Sequence, residues 1–107
     1  MEGTVRGTRG SHQPEELIAA AHASCYSMAL SNTLAQEGTP PGTLETQATV
    51  TFVPGEGITA IELEVTGEIP GVSGDDFLAA AQTAKETCPV SEAFAGNVPI
   101  SLVANLV

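Results

Sequence analysis

The sequence predicts an α+β domain in which a long, buried central helix packs on an antiparallel sheet, in the order α-β-β-α-α-β. Three features point there. The stretch from Leu17 to Gln36 holds no Asp, Glu, Lys or Arg and carries apolar residues at helical spacing. Two runs, 48–52 and 61–65, alternate apolar with polar residues on either side of a Pro-Gly turn. A second helical stretch and a short apolar run then follow, with no internal repeat and nothing to suggest a second domain. The 107 residues suffice for one modest core.

Residues 1–13 are polar and Gly-rich and read as an N-terminal arm ahead of a domain spanning 14–107. Pro14 suits the first position of a helix, where its missing N–H costs nothing, and Glu15 and Glu16 complement the positive end of the helix dipole. Leu17, Ala21, Cys25 and Met28 recur on one face, and Ile18, Tyr26, Leu30 and Leu34 supply a second apolar stripe. A helix apolar over so much of its circumference belongs inside a domain. It stops near Gly38, and Pro40-Pro41-Gly42 prevents a restart.

In the hairpin, Ala48, Val50 and Phe52 alternate with Thr49 and Thr51. After Pro54-Gly55-Glu56-Gly57, Ile61, Leu63 and Val65 alternate with Glu62 and Glu64. Ile69-Pro70-Gly71 ends the second strand. Ser73, with Asp76 three residues on, starts a helix that runs to about Thr87 and turns Phe77, Leu78, Ala81 and Ala84 inward. Pro89 disfavours helical geometry at Cys88, so the chain breaks there. A short helix from Pro89 to Phe94 follows, Gly96-Asn97 closes it, and Pro99 to Val107 forms the last strand.

Composition narrows the function. Thirteen acids against three bases give a formal charge of −10. A nucleic-acid binder needs cations to release phosphate counterions, and only Arg6, Arg9 and Lys85 are on offer. Nucleic acid and anionic membrane surfaces are therefore not expected partners. The uncharged stretch after Leu17 has the ~20 residues that span a bilayer, yet His22, Ser24, Ser27, Ser31, Asn32 and Thr33 put too many polar groups on it. No apolar export signal is visible at the N-terminus, so the expected location is the cytoplasm. There, two cysteines are redox-active or free rather than a structural staple. The core is built from small aliphatic side chains, with three Phe, one Tyr and no Trp, and gains from a partner subunit.

Cys25 and Cys88 are the only cysteines. As space-fillers they would be inert; as a structural disulfide they would contribute about 4 kcal/mol on the chain-entropy view. Local context favours chemistry. Cys88 precedes Pro89 at a helix N-terminus, where unpaired N–H groups favour a thiolate, which makes it the more acidic thiol by local physics. Cys25 lies mid-helix and needs a nearby cation or donor. Glu15 lies about 15 Å along the axis from Cys25 and reaches it only through an intermediary such as an arginine. His22 sits one turn before Cys25 and reads as a buried, satisfied histidine. His12, His22, Cys25 and Cys88 lack the paired spacings of structural zinc sites, and no cofactor fingerprint is present.

Two stretches carry a family resemblance. Pro14-Glu15-Glu16-Leu17-Ile18-Ala19-Ala20-Ala21-His22-Ala23-Ser24-Cys25-Tyr26, continuing to Ser31, closely resembles the first-cysteine helix of the OsmC/Ohr family of thiol-dependent peroxidases. Thr87-Cys88-Pro89-Val90-Ser91 resembles its second-cysteine motif, and the Ala-Ala-His-Ala version is more like the OsmC branch. The resemblance implies a homodimeric enzyme of oxidative stress defence that reduces organic hydroperoxides, and hydrogen peroxide as a further substrate. In that scheme Cys25 attacks the peroxide and becomes a sulfenic acid, which Cys88 resolves to a disulfide. A dithiol reductant, often a lipoylated protein in the family, restores both thiols. Glu15 matches the glutamate that orients an arginine over the thiolate; Arg6 is nearest the expected place, with Arg9 the alternative. Family members carry further strand-forming residues before this point, so the chain is expected to be shortened at the N-terminus. The competing expectations are a non-catalytic dimerisation module of the same fold and a thiol redox sensor.

Overall fold

The computed structural model describes residues 2–5 and 14–107. Its elements are β1 (Glu2–Val5), α1 (Pro14–Gln36), β2 (Thr43–Val53), β3 (Gly57–Glu68), α2 (Gly74–Thr87), α3 (Pro89–Phe94) and β4 (Ile100–Leu106). From Pro14 onward the order is α-β-β-α-α-β, as the sequence predicts. β1 falls in the stretch read as an arm and pairs in parallel with β2, Glu2 opposite Glu45 and Val5 opposite Ala48. A strand of four residues has too little alternation to announce itself; the unpaired edge of β2 is what gives it a partner.

The sheet runs β1-β2-β3-β4. Only its central hairpin is antiparallel; β1 with β2 and β3 with β4 are parallel, so the expected antiparallel sheet is in fact mixed. The reason is connection length. The three-residue turn at 54–56 can only reverse the chain, whereas α1 between β1 and β2, and α2 with α3 between β3 and β4, return it to the end where it started.

The core lies between one face of this sheet and the helices. Thr46 opposes Val65 and Ala48 opposes Leu63 on that face, and all four side chains are buried. The other face exposes Glu45, Thr49, Glu62 and Glu64. α1 buries Ala19, His22, Ala23, Tyr26, Ser27, Leu30 and Leu34. Two buried hydrogen bonds set its rotation: Tyr26 Oη donates to the Ala81 carbonyl at 2.8 Å, and Ser27 Oγ donates to Thr46 Oγ1 at 2.6 Å. Each satisfies a polar group that would otherwise be costly to bury.

Four inward assignments need correction. Leu17 and Met28, on the Cys25 side of α1, are each 58% exposed, so the helix is buried along one stripe only. In α2, Leu78 points outward and Ala80 takes its place in the core beside Phe77, Ala81 and Ala84. Phe52 is exposed because the β2–β3 register shifts between Thr51 and Phe52, which breaks the alternation that had placed it inside. The start of α2 is as expected: Ser73 Oγ accepts the Asp76 N–H at 3.1 Å. Among the described residues no helix is long and apolar enough to cross a membrane.

Gly67 is the tightest point of the core. A Cβ built there would meet Ile69 Cδ1 at 2.5 Å, and Leu44 Cδ2 and Phe77 Cε1 at 3.0 Å. Gly67→Ala is therefore expected to destabilise by about 1–3 kcal/mol, the usual cost of overpacking. Urea unfolding measures this; an unchanged midpoint would mean that Phe77 and Ile69 yield without cost.

Candidate active site

α1 and α3 bring the two cysteines together. Cys25 projects from the middle of α1 on its less buried side, and Cys88 is fully buried at the junction of α2 and α3. Both are free thiols. Cys88 serves two helices: its N–H closes α2 onto the Ala84 carbonyl at 2.9 Å, and it caps α3 with φ −67° and ψ 119°. That extended geometry is what Pro89 demands of the residue before it. The first bond of α3 runs from the Glu92 N–H to the Cys88 carbonyl at 2.9 Å.

The electrostatics divide the pair. Burial acts to raise Cys88, but the His22 ring, the backbone N–H and hydroxyl of Ser91, and the Cys25 thiol together bring it down to about 6. The Cys88 side chain makes no cap hydrogen bond to α3, so the lowering is shared among these groups. Burial pushes Cys25 up, and the neighbouring Cys88 adds to the rise against a backbone amide at Val90 that opposes it. Tyr26 is pushed above its ordinary range, first by burial and then by the charge on Cys88. The pair therefore holds its negative charge on the inner sulfur. An ultraviolet thiolate titration of the reduced protein should show a first step at about pH 6 and a second above the ordinary thiol range. Two coincident steps at the ordinary value would contradict the arrangement.

His22 and Ser91 complete the inner shell. The His22 ring is fully buried, with Nε2 2.7 Å from Ser91 Oγ and no partner for Nδ1 among the described residues. The sequence reads His22 as a buried, satisfied histidine and gives Ser91 no role; the ring is buried, but only its Nε2 is satisfied among the described residues. The available signal was spacing: His22 lies one turn before Cys25, and Ser91 occupies the third helical position after a Cys88 cap, where its N–H faces the cap side chain.

Of the other residues named from the sequence, Glu15 is described. Glu15 is partly buried in the first turn of α1, nearly three turns from Cys25. Arg6, Arg9 and His12 lie outside the described residues. Among the described residues no three His, Cys, Asp or Glu side chains gather as a metal ion requires.

A helix-covered mixed sheet, with one cysteine on the covering helix and a second capping the helix that packs beside it, defines a two-cysteine thiol protein of the α+β class. The chain belongs to the OsmC-like protein family, whose model matches residues 7–103. It is 39% identical over 97 residues to peroxiredoxin OsmC of Escherichia coli K12, an alignment covering 88% of this chain and 67% of that one. It is 32% identical over 106 residues to the organic hydroperoxide resistance protein OhrA of Bacillus subtilis 168, covering 95% and 74% respectively. Among solved structures, an organic hydroperoxide resistance protein OsmC from Legionella pneumophila superposes with a TM-score of 0.73 at 26% identity, over 90% of this chain and 71% of that one.

Proposed function

We propose that this protein is a cysteine-based peroxidase that reduces organic hydroperoxides, and hydrogen peroxide as a second substrate, in defence against oxidative stress. The observation that carries the reading is the meeting of two free thiols, one reachable and one buried and acidic. Its relatives named for peroxiredoxin activity and hydroperoxide resistance support the same chemistry.

Access and acidity point to different sulfurs, and access decides which one attacks. Cys88 is fully enclosed, so a peroxide meets Cys25 first. The Cys25 proton moves to the Cys88 thiolate. The Cys25 thiolate then attacks the distal peroxide oxygen; an S–O bond forms, the O–O bond breaks, and the alkoxide leaves as an alcohol on taking the proton from Cys88. Cys88, a thiolate again, attacks the Cys25 sulfenic acid. An S–S bond forms, the S–O bond breaks, and hydroxide departs as water with a proton from solvent. A dithiol, for which a lipoylated protein is the proposed source, returns both thiols by exchange.

Glu15 is assigned the orientation of Arg6 towards Cys25, a role that rests on the family motif. The proposed working form is a cytoplasmic homodimer. The exposed Leu17 and Met28, on the Cys25 side of α1, are the surface that such a dimer would cover. Thiol titration and intact mass after one equivalent of cumene hydroperoxide, then dihydrolipoamide, test the cycle. Loss of both thiols with a two-proton mass decrease, reversed by the dithiol, is expected. Thiols that survive the oxidant in folded protein overturn it, and oxidation without turnover marks a sensor instead.

A further inference from the structure

His22 is a fully buried titratable side chain beside the thiols that the proposed cycle does not use. Its position is specific. It reaches across from α1 to α3, and its Nε2 meets Ser91 Oγ at 2.7 Å. Nδ1 has no partner. A buried ring N–H without an acceptor costs more than a bare lone pair, so the proton belongs on Nε2, which donates to Ser91. With its oxygen engaged as an acceptor, the Ser91 hydroxyl has its own hydrogen left for the sulfur three residues earlier, on the same turn. Ser91 is the third residue of a helix capped by Cys88, so the two side chains share one turn.

We propose that His22 is a positioning residue for the resolving step: hydrogen-bonded to Ser91 on the turn that Cys88 caps, it holds with Ser91 a polar surround that keeps the buried Cys88 sulfur charged and aimed at Cys25. The inference rests on the peroxidase reading and deepens it, because it names what readies the second cysteine. Cys88 thiolate attacks the sulfenic sulfur of Cys25, the S–O bond breaks, and hydroxide takes a proton from solvent; the polar surround loses no proton and turns over unchanged. Among the described residues, the titratable groups that act on or respond to Cys88 are His22, Cys25 and Tyr26, all from α1. The enhanced acidity of Cys88, to which the His22 ring contributes most and Ser91 next, agrees with both residues bearing on the sulfur.

The test separates the polar surround from the cycle it serves. In a Cys25→Ser background, ultraviolet titration reads Cys88 alone, whether or not the protein reduces peroxides. Ser91→Ala and His22→Leu are expected to raise its midpoint by about one unit. His22→Gln, whose amide keeps a donor near the Nε2 position, is expected to restore most of the shift. With Cys25 present, a dimedone trap measures sulfenic acid lifetime, expected to lengthen about fivefold at pH 6 in Ser91→Ala for a one-unit shift. An unmoved Cys88 midpoint in Ser91→Ala overturns the proposal, and so does a His22→Gln protein indistinguishable from His22→Leu. If His22→Leu does not fold, Ser91→Ala and His22→Gln decide alone. If the unaltered protein forms no sulfenic acid, the peroxidase reading fails while the titration still judges the polar surround.

Discussion

Cys25→Ser is expected to fold normally and to lose hydroperoxide reduction by about a thousandfold or more, the scale on which enzymes respond to removal of their nucleophile. A hydroxyl at this position stays protonated throughout the accessible pH range, and its oxygen is a far weaker nucleophile than a thiolate. Cys25 is only partly buried and lines the exposed side of α1, so the oxygen fits without disturbing the core. Cys88→Ser makes the informative contrast. It should still oxidise once at Cys25 and then stall with a persistent sulfenic acid, because no second sulfur is present to displace hydroxide. Peroxide consumption with a dithiol in excess, alongside mass spectrometry of the trapped acid, reads both variants. Continued turnover in Cys25→Ser would move the attack to Cys88, the sulfur that local acidity favours.

Phe77→Ala carries the largest expected effect on stability, a loss of about 3–5 kcal/mol. Phe77 is 2% exposed at the start of α2, and its ring lies over Gly67 of β3. The backbone of α2 and β3 holds this spacing, so removing the ring leaves a cavity that neighbouring small residues cannot fill. Against a typical total of about 5–15 kcal/mol, that loss leaves little margin. A urea midpoint displaced with an unchanged slope is the expected signature. A loss under about 1 kcal/mol would mean that α2 settles onto the sheet and closes the space.

The stability of this core and the chemistry of the site depend on the same packing. α1 is seated by Tyr26 on Ala81 and by Ser27 on Thr46, and these bonds determine which helix face carries Cys25 outward. α3 follows α2 after a single residue, so the seating of α2 by Phe77 also sets where the Cys88 sulfur lies. A mutation that loosens α2 is thus expected to slow resolution even without touching a cysteine.

Much of this was legible in the chain itself. The helix start at Pro14, the hairpin turn at 54–57, the Ser73 cap and the break at Cys88-Pro89 are local events, decided by residues within a few positions of one another, and the structure has all of them. The pairing of two cysteines was legible too, through motifs rather than through geometry. Other features depended on segments distant in sequence. The direction of β4, the strand at Glu2–Val5 and the outward turn of Leu17, Met28 and Leu78 follow from which surfaces were left to be covered once the hairpin and α1 had met. The contact of His22 with Ser91 belongs to the same group. Periodicity identifies an apolar face, but burial is a property of two surfaces, and the second comes from elsewhere in the chain. Local sequence thus determined the elements and their ends; tertiary packing decided which faces, which strand directions and which buried donors make the site.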